Sequence, residues 1–372
     1  MGPGAAGRDA PARGDDMHVF SRVLARATFS LTCAVVVSGC APIADDPVGE
    51  AASEEIVANG LHLNGLHLNG LHLNGLHLNG LHLNGLHLNG VHIDGLHLNG
   101  RRLGDLRSTG ARLEVVRAGG RAIGAVDLTG TEVTATAQDG TSFVLRIDAV
   151  APGIPAGVVL YTISYRDLGS TSFKPICGTE NGAPIPVIPL SGSWDDSAGT
   201  PTGGSHIADP GAVTLACRGF ALAKCVELGY VPGRSVQECR APGECRTRPL
   251  SAYHQACTRM LRADYCGDGT ATTRDGTLVD VWDNLSIQTD DASTWSFEAE
   301  WTPNGASCVK QTRWPTIVDE GEAVATYIQD HCPGRWHTQG CGAPSSKFFT
   351  ANGFTLLPAR RPLLRTRIDH EM

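Results

Sequence analysis

The run Thr131-Glu132-Val133-Thr134-Ala135-Thr136-Ala137, followed by Asp139-Gly140 and then Ser142-Phe143-Val144-Leu145-Arg146-Ile147-Asp148-Ala149-Val150, reads as a strand, a tight turn and a second strand. Apolar and polar residues alternate on both sides of Asp-Gly, a dipeptide favoured where a hairpin turn needs positive φ. Val158 to Tyr165 extends the pattern to another strand. The segment 111–170 is therefore β-rich.

Upstream lies a repeat. From Leu61-His62-Leu63-Asn64-Gly65 to Leu96-His97-Leu98-Asn99-Gly100, one five-residue phrase recurs eight times, with Val91-His92-Ile93-Asp94-Gly95 the single variant. Each unit alternates apolar, polar, apolar and then supplies Asn-Gly, so its two aliphatic residues share one face. An echo of the period persists to Gly110. The repeats, bounded here as 61–110, resemble the pentapeptide-repeat family, which implies a short right-handed β-solenoid of about four units per turn. A flexible repeat spacer of roughly 35 Å is the competing form. In a solenoid, residues 20 apart stack at about 4.8 Å. His62, His67, His72 and His77 are then expected above His82, His87, His92 and His97, imidazole pairs suited to Zn, Cu or Ni.

Further upstream, an apolar run from Ala27 to Val37 follows Arg22 and Arg26 and ends in Ser38-Gly39-Cys40. Small residues before a cysteine resemble a bacterial lipobox, which implies a signal peptide over 1–39, with its start at Met17, and acylation of Cys40. The run falls short of the roughly 20 apolar residues that a spanning helix needs. Acyl chains on Cys40 would hold the protein to a membrane face in the cell envelope, after export across the inner membrane. Residues 40–60, rich in Asp, Glu and Pro, form an acidic tether between anchor and repeats.

Cleavage before Cys40 removes four basic and three acidic residues from 30 and 38, leaving 26 against 35. An acidic chain of this kind excludes nucleic acid as a partner class, because phosphate binding needs a clustered basic face. Arg360, Arg361, Arg365 and Arg367, in a tail bounded as 346–372, read as a solvated charged terminus.

Beyond the signal and the anchor, ten cysteines remain: Cys177, Cys217, Cys225, Cys239, Cys245, Cys257, Cys266, Cys308, Cys332 and Cys341. An even set in an oxidising compartment reads as disulfides, and spacing alone leaves the pairing open. With no Cys-x-x-Cys pair, neither a zinc ribbon nor a thioredoxin-like centre is expected. Around these cysteines, Ala212 to Ala216 and Thr277 to Trp282 read as strands, and Trp295 to Trp301 with Cys308 to Trp314 as a hairpin. Gly219 to Leu228, Ser251 to Arg262 and Glu320 to His331, the last capped by Asp319, read as helices, whereas 178–211 reads mostly as loop. The expected fold class is α+β: a disulfide-rich mixed domain over 171–345 behind the repeat segment.

Arg262-Ala263-Asp264-Tyr265-Cys266-Gly267-Asp268-Gly269 carries a second resemblance. With Ala223-Lys224-Cys225, Gly229-Tyr230, Cys257-Thr258-Arg259, Asp275-Gly276-Thr277, Phe297-Glu298-Ala299 and Trp301, it is similar to the ADYC-domain family of secreted proteins and lipoproteins of myxobacteria. That resemblance implies export and brings no catalytic residues. Two site readings stand beside it. His254 and Cys257 fall on one helical face near Asp264 and Asp268, a possible nucleophile, base and orienter. Asp268-Gly269 and Asp275-Gly276 are turns, or oxygen donors to Ca²⁺ without the usual spacing.

The function expected from these readings is a cell-envelope lipoprotein with a non-catalytic binding or structural role, its partners a membrane and an envelope or extracellular protein or metal ligand. Its competitors are an extracellular enzyme in the 171–345 domain and a precursor whose repeats are processed.

Overall fold

The computed structural model describes residues 91–98, 101–116, 122–123, 128–137, 139–274, 277–291, 294–317, 321–348 and 354–369. Cys40, the tether and the repeats before Val91 lie outside the described residues. The chain enters through β1 (Val91–Leu98), β2 (Arg101–Ser108), β3 (Leu113–Val116), β4 (Ala122–Ile123), β5 (Glu132–Thr136), β6 (Ser142–Pro152), β7 (Val159–Asp167) and β8 (Lys174–Pro175). Then come β9 (Thr179–Glu180), β10 (Ala183–Pro184), β11 (Val187–Ser191), β12 (Ser193–Trp194), β13 (His206–Ile207) and β14 (Ala212–Cys217). β5 and β6 are the hairpin expected from Thr131 to Val150, and Thr136 pairs with Ser142 across its turn.

Strand order β14-β11-β7-β6-β5-β1 is antiparallel throughout, and β1 pairs back to β14 through Val91 with Val213 and His92 with Ala212. Six strands thus close into a ring, which removes the unpaired edges an open sheet would present. Alternate residues fill it: Val133, Ala135, Phe143, Leu145, Ile147, Tyr161, Ile163, Tyr165, Val213 and Leu215 belong to one buried cluster.

β11 and β14 are buried on both faces, because Ile188, Leu190 and Ala216 pack against Leu222, Ala223 and Val226 of α1 (Ala221–Glu227). Strands covered on both sides carry continuous apolar runs rather than alternation. For that reason, and because Pro189 interrupts it, Val187–Ser191 reads as loop in the sequence and is a central strand in the fold.

The second half starts with the exposed hairpin β15 (Ser235–Ala241) and β16 (Glu244–Pro249), which runs into α2 (Leu250–Arg262). β17 (Val279–Asp283), β18 (Ser296–Thr302) and β19 (Gly305–Val309) follow, then α3 (Val324–His331) and β20 (Leu364–Ile368). The four strands form an antiparallel sheet in the order β17-β20-β18-β19. Tyr253 and Met260 of α2 and Ile328 of α3 share a buried cluster with Trp301, Val309, Leu364 and Ile368 of that sheet.

Three expectations are corrected. First, no closed solenoid forms among the described residues: β1, the end of the repeat, has only antiparallel neighbours, namely β2, β5 and β14. Its five-residue period is odd, so it cannot keep period-two alternation, and a register shift between Ile93 and Leu96 restores the phase, pairing Ile93 with Ala135 and Leu96 with Val133. Second, the chain from 346 is no free tail. β20 is an interior strand, Arg361 and Arg365 are buried, and Arg367 pairs with Asp290 at 2.9 Å. Third, the last helix begins at Val324, with Ala323 as its N-cap and no side-chain cap; Asp319 lies outside the described residues.

All ten cysteines pair: Cys177–Cys217, Cys225–Cys257, Cys239–Cys245, Cys266–Cys332 and Cys308–Cys341. The first joins the end of β8 to β14 in the ring core, and the second joins α1 to α2. Disulfides at this density belong to an oxidising compartment, outside the cytoplasm.

Candidate functional site

The residues 259–269 form a knot in which every side chain of the tetrapeptide has a structural task. Ala263 ends α2 in the left-handed region at φ +50, with its N–H donating to Met260 O and that of Asp264 to Arg259 O. That reversal sends Asp264 back under the helix, where its carboxylate is fully buried. Asp264 accepts from the Arg259 guanidinium, from Asp268 N at 3.1 Å and from Gly269 N at 3.0 Å. Arg259 also donates to Gly203 O, to Ser205 Oγ and to Pro303 O, so a buried charge pair is fully hydrogen-bonded, the condition under which such a pair is tolerated.

Tyr265 stacks on Trp301 with ring centroids 5.3 Å apart, and its hydroxyl donates to Glu298 Oε1 at 2.7 Å. Burial beside the Glu298 carboxylate holds that phenol well above its usual range, so it stays a donor. Arg313 completes the group, with Nε donating to Glu298 at 2.7 Å and one terminal nitrogen to Met260 O at 2.6 Å. Cys266 ties the turn to Cys332 at the end of α3. Gly267, at φ +70, lies so close to Asn304 that a methyl group would collide with its carbonyl oxygen, and a methyl at Gly269 would meet Ser197 O. Glycine is required at both positions.

This geometry disposes of the nucleophile reading. Cys257 is bonded to Cys225, and a disulfide sulfur is no nucleophile. His254 does share the helix with Cys257 but donates through Nε2 to Leu222 O at 3.0 Å. Burial pushes its pKa down to about 4, so it is neutral. Asp264 and Asp268 face the knot, and Asp268 accepts from Tyr327 at 2.7 Å. Asp275-Gly276 lies outside the described residues, as do the repeat histidines from His62 to His87. His92 pairs in register with Ala212 and Thr136, His97 with Glu132 and Arg102, so neither belongs to a stack with a twenty-residue period. Among the described residues no group of three or more His, Cys, Asp or Glu is placed to hold a metal.

What the structure adds is a cleft of about 360 Å³ that sequence reading missed. Its walls come from the end of β2, from Leu190 and Ser191 on β11, from Trp194 and His206 on the β12–β13 pair, and from Ser251 and His254 on the first turns of α2. Trp194 anchors it: its Nε1 donates to Gln255 Oε1 at 3.0 Å, with the His206 ring 4.6 Å and the His254 ring 5.8 Å away. Only His254 was a candidate by sequence. The lining converges from five separate stretches, 108–111, 190–194, 206, 232–233 and 251–255, and no short spacing could have grouped them. No helix among the described residues is long and apolar enough to cross a membrane.

A closed antiparallel ring joined through disulfide-linked helices to a second small sheet, its motif residues absorbed in a buried ion-pair knot, defines a disulfide-stapled β-rich domain of an oxidising compartment. The chain belongs to the ADYC domain family, which matches residues 125–315. That span takes in β5 through β19, so it starts within the ring, upstream of the boundary at 171 drawn from composition. No curated protein and no solved structure matches the chain.

Proposed function

We propose that this chain is a cell-envelope lipoprotein, anchored through Cys40, that acts by binding rather than by catalysis. The observation that carries the non-catalytic part is the fate of the chemically able residues. Cys257 is sealed in a disulfide, Asp264 is held by Arg259 and two backbone amides, and Tyr265 and Glu298 are tied to each other and to Arg313. A reacting group must face its substrate, and these are buried inside the fold. The disulfides favour export, and the Ser38-Gly39-Cys40 triplet favours acylation at its end. The residues 41–90 then separate the membrane from β1, as tether and repeat spacer, with the repeat histidines available to Zn²⁺, Cu²⁺ or Ni²⁺.

Mass spectrometry of the mature chain with membrane fractionation tests this. The expected result is an N-terminal acylated Cys40 in the membrane fraction, released by Cys40→Ala. A mature chain that begins elsewhere and carries no lipid would overturn the anchor.

A further inference from the structure

The cleft beside Trp194 has a chemical character that selects among ligands. Its lining includes no Asp, Glu, Lys or Arg, while Ala111, Leu190, Trp194 and Pro232 make it largely apolar. A charged ligand entering it would lose water without gaining a counter-charge. Its size lies in the range of small-molecule sites, roughly 300 to 1,000 Å³.

Several side-chain donors of the inner walls are already engaged. Ser108 Oγ donates to Pro189 O at 2.9 Å, Trp194 Nε1 to Gln255 Oε1, and the Gln255 amide to Gly204 O at 2.8 Å. His206 Nε2 meets Ser191 O at 2.9 Å, and His254 Nε2 meets Leu222 O. A carbonyl oxygen only accepts, so in both rings Nε2 carries a proton, and where the ring is neutral Nδ1 is left as an acceptor. His254 is also kept neutral by its burial, which preserves that acceptor through the physiological range.

We propose that this cleft binds an uncharged aromatic ring bearing an O–H or N–H donor, of the phenol or indole class. The flat apolar body of such a ring matches the walls around Trp194, and its one donor meets an imidazole Nδ1. A saccharide fits worse, because its many hydroxyls need more partners than the His254 acceptor and the rim serines supply. This inference rests on the binding role proposed above.

Calorimetric titration of the full mature chain with indole, phenol, toluene and methyl glucoside tests it. Indole and phenol are expected to bind saturably, toluene at least about fivefold more weakly for want of the donor, and the glucoside not at all. Ser251→Trp adds bulk at an exposed rim position of α2, outside the core, and is expected to weaken indole at least about tenfold with an unchanged unfolding midpoint. Absence of saturable binding by both rings, tighter binding of the glucoside, or full indole affinity in Ser251→Trp would each overturn the proposal. The two readings fail separately. A lipidated, membrane-bound chain that binds no ring loses only the ligand class, and an unlipidated chain that binds indole loses only the anchor.

Discussion

At Ala263 an L-residue with a side chain sits at φ +50, where glycine is the ordinary occupant, and it does so fully buried. The left-handed region costs such a residue about 1–2 kcal/mol. Around it, the Arg259–Asp264 pair and the amides of 268 and 269 require the reversal at this residue and no other. Ala263→Gly relieves the backbone but adds unfolded-chain entropy and removes a buried methyl, so its stability is expected within about 1 kcal/mol of the parent. Ala263→Val places a β-branched side chain at positive φ in a filled site and is expected to destabilise by more than about 2 kcal/mol. Urea denaturation of the two variants decides it, and equal midpoints would remove the strain argument. The sequence alone showed this motif as a family signature. It did not show that Asp264 is buried in an ion pair, because the groups that hold its partner Arg259 arrive from 203–205 and 303, far along the chain.

Among the helices described, α1 is the most fully buried: all seven of its residues are enclosed, including Lys224. Burial lowers the Lys224 pKa from its usual 10.5 to about 7, and Glu227, which also pairs with Arg218, offsets only part of that. The unfolded chain keeps the proton up to its own higher pKa, so between pH 7 and 10.5 it binds more protons than the folded one. Stability from this group therefore rises with pH across that window, by at most about 1.4 kcal/mol per unit, and the penalty is fully present below pH 7. Lys224→Met is expected to be the more stable chain at pH 7 and to lose the gain progressively between pH 7 and 10.5, about half of it by pH 9, read from denaturant midpoints at each pH. A parent without that gain would show that Lys224 reaches solvent. The elements differed in legibility for a physical reason. β5, β6 and β7 largely alternate buried with more exposed positions, so their period survives in the sequence, and α1 and α2 show through helical spacing and end signals although both are buried almost all round. β11 is buried on both faces and β1 carries a register shift, so their periods are erased or shifted.

For the molecule as a whole, two closures matter: β1 onto β14 in the ring, and β20 between β17 and β18 in the second sheet. β20 brings Arg365 to Glu300 at 2.6 Å, and Trp301 donates to Thr366 at 2.9 Å. Truncation after Leu363 would expose two strand edges and leave the buried Glu300 without its cation, a change that typically costs about 3–5 kcal/mol for the ion pair alone. The truncated chain is expected to lose its near-ultraviolet circular dichroism and to be cut within 277–309 by limited proteolysis. A truncation that keeps the parent's unfolding midpoint would contradict the sheet order.

By itself the sequence determined what depends on local pattern and on counting: the hairpin at 131–150, the amphipathic α2, the even cysteine set with its oxidising compartment, and the tetrapeptide that names the family. Only the tertiary structure decided the disulfide partners, the ring that takes the end of a repeat as its closing strand, the place of β20, and the uncharged cleft at Trp194. These rest on contacts between residues tens to more than a hundred positions apart. Such contacts form when buried faces and unpaired backbone edges must be satisfied together, and no short window of sequence records that condition.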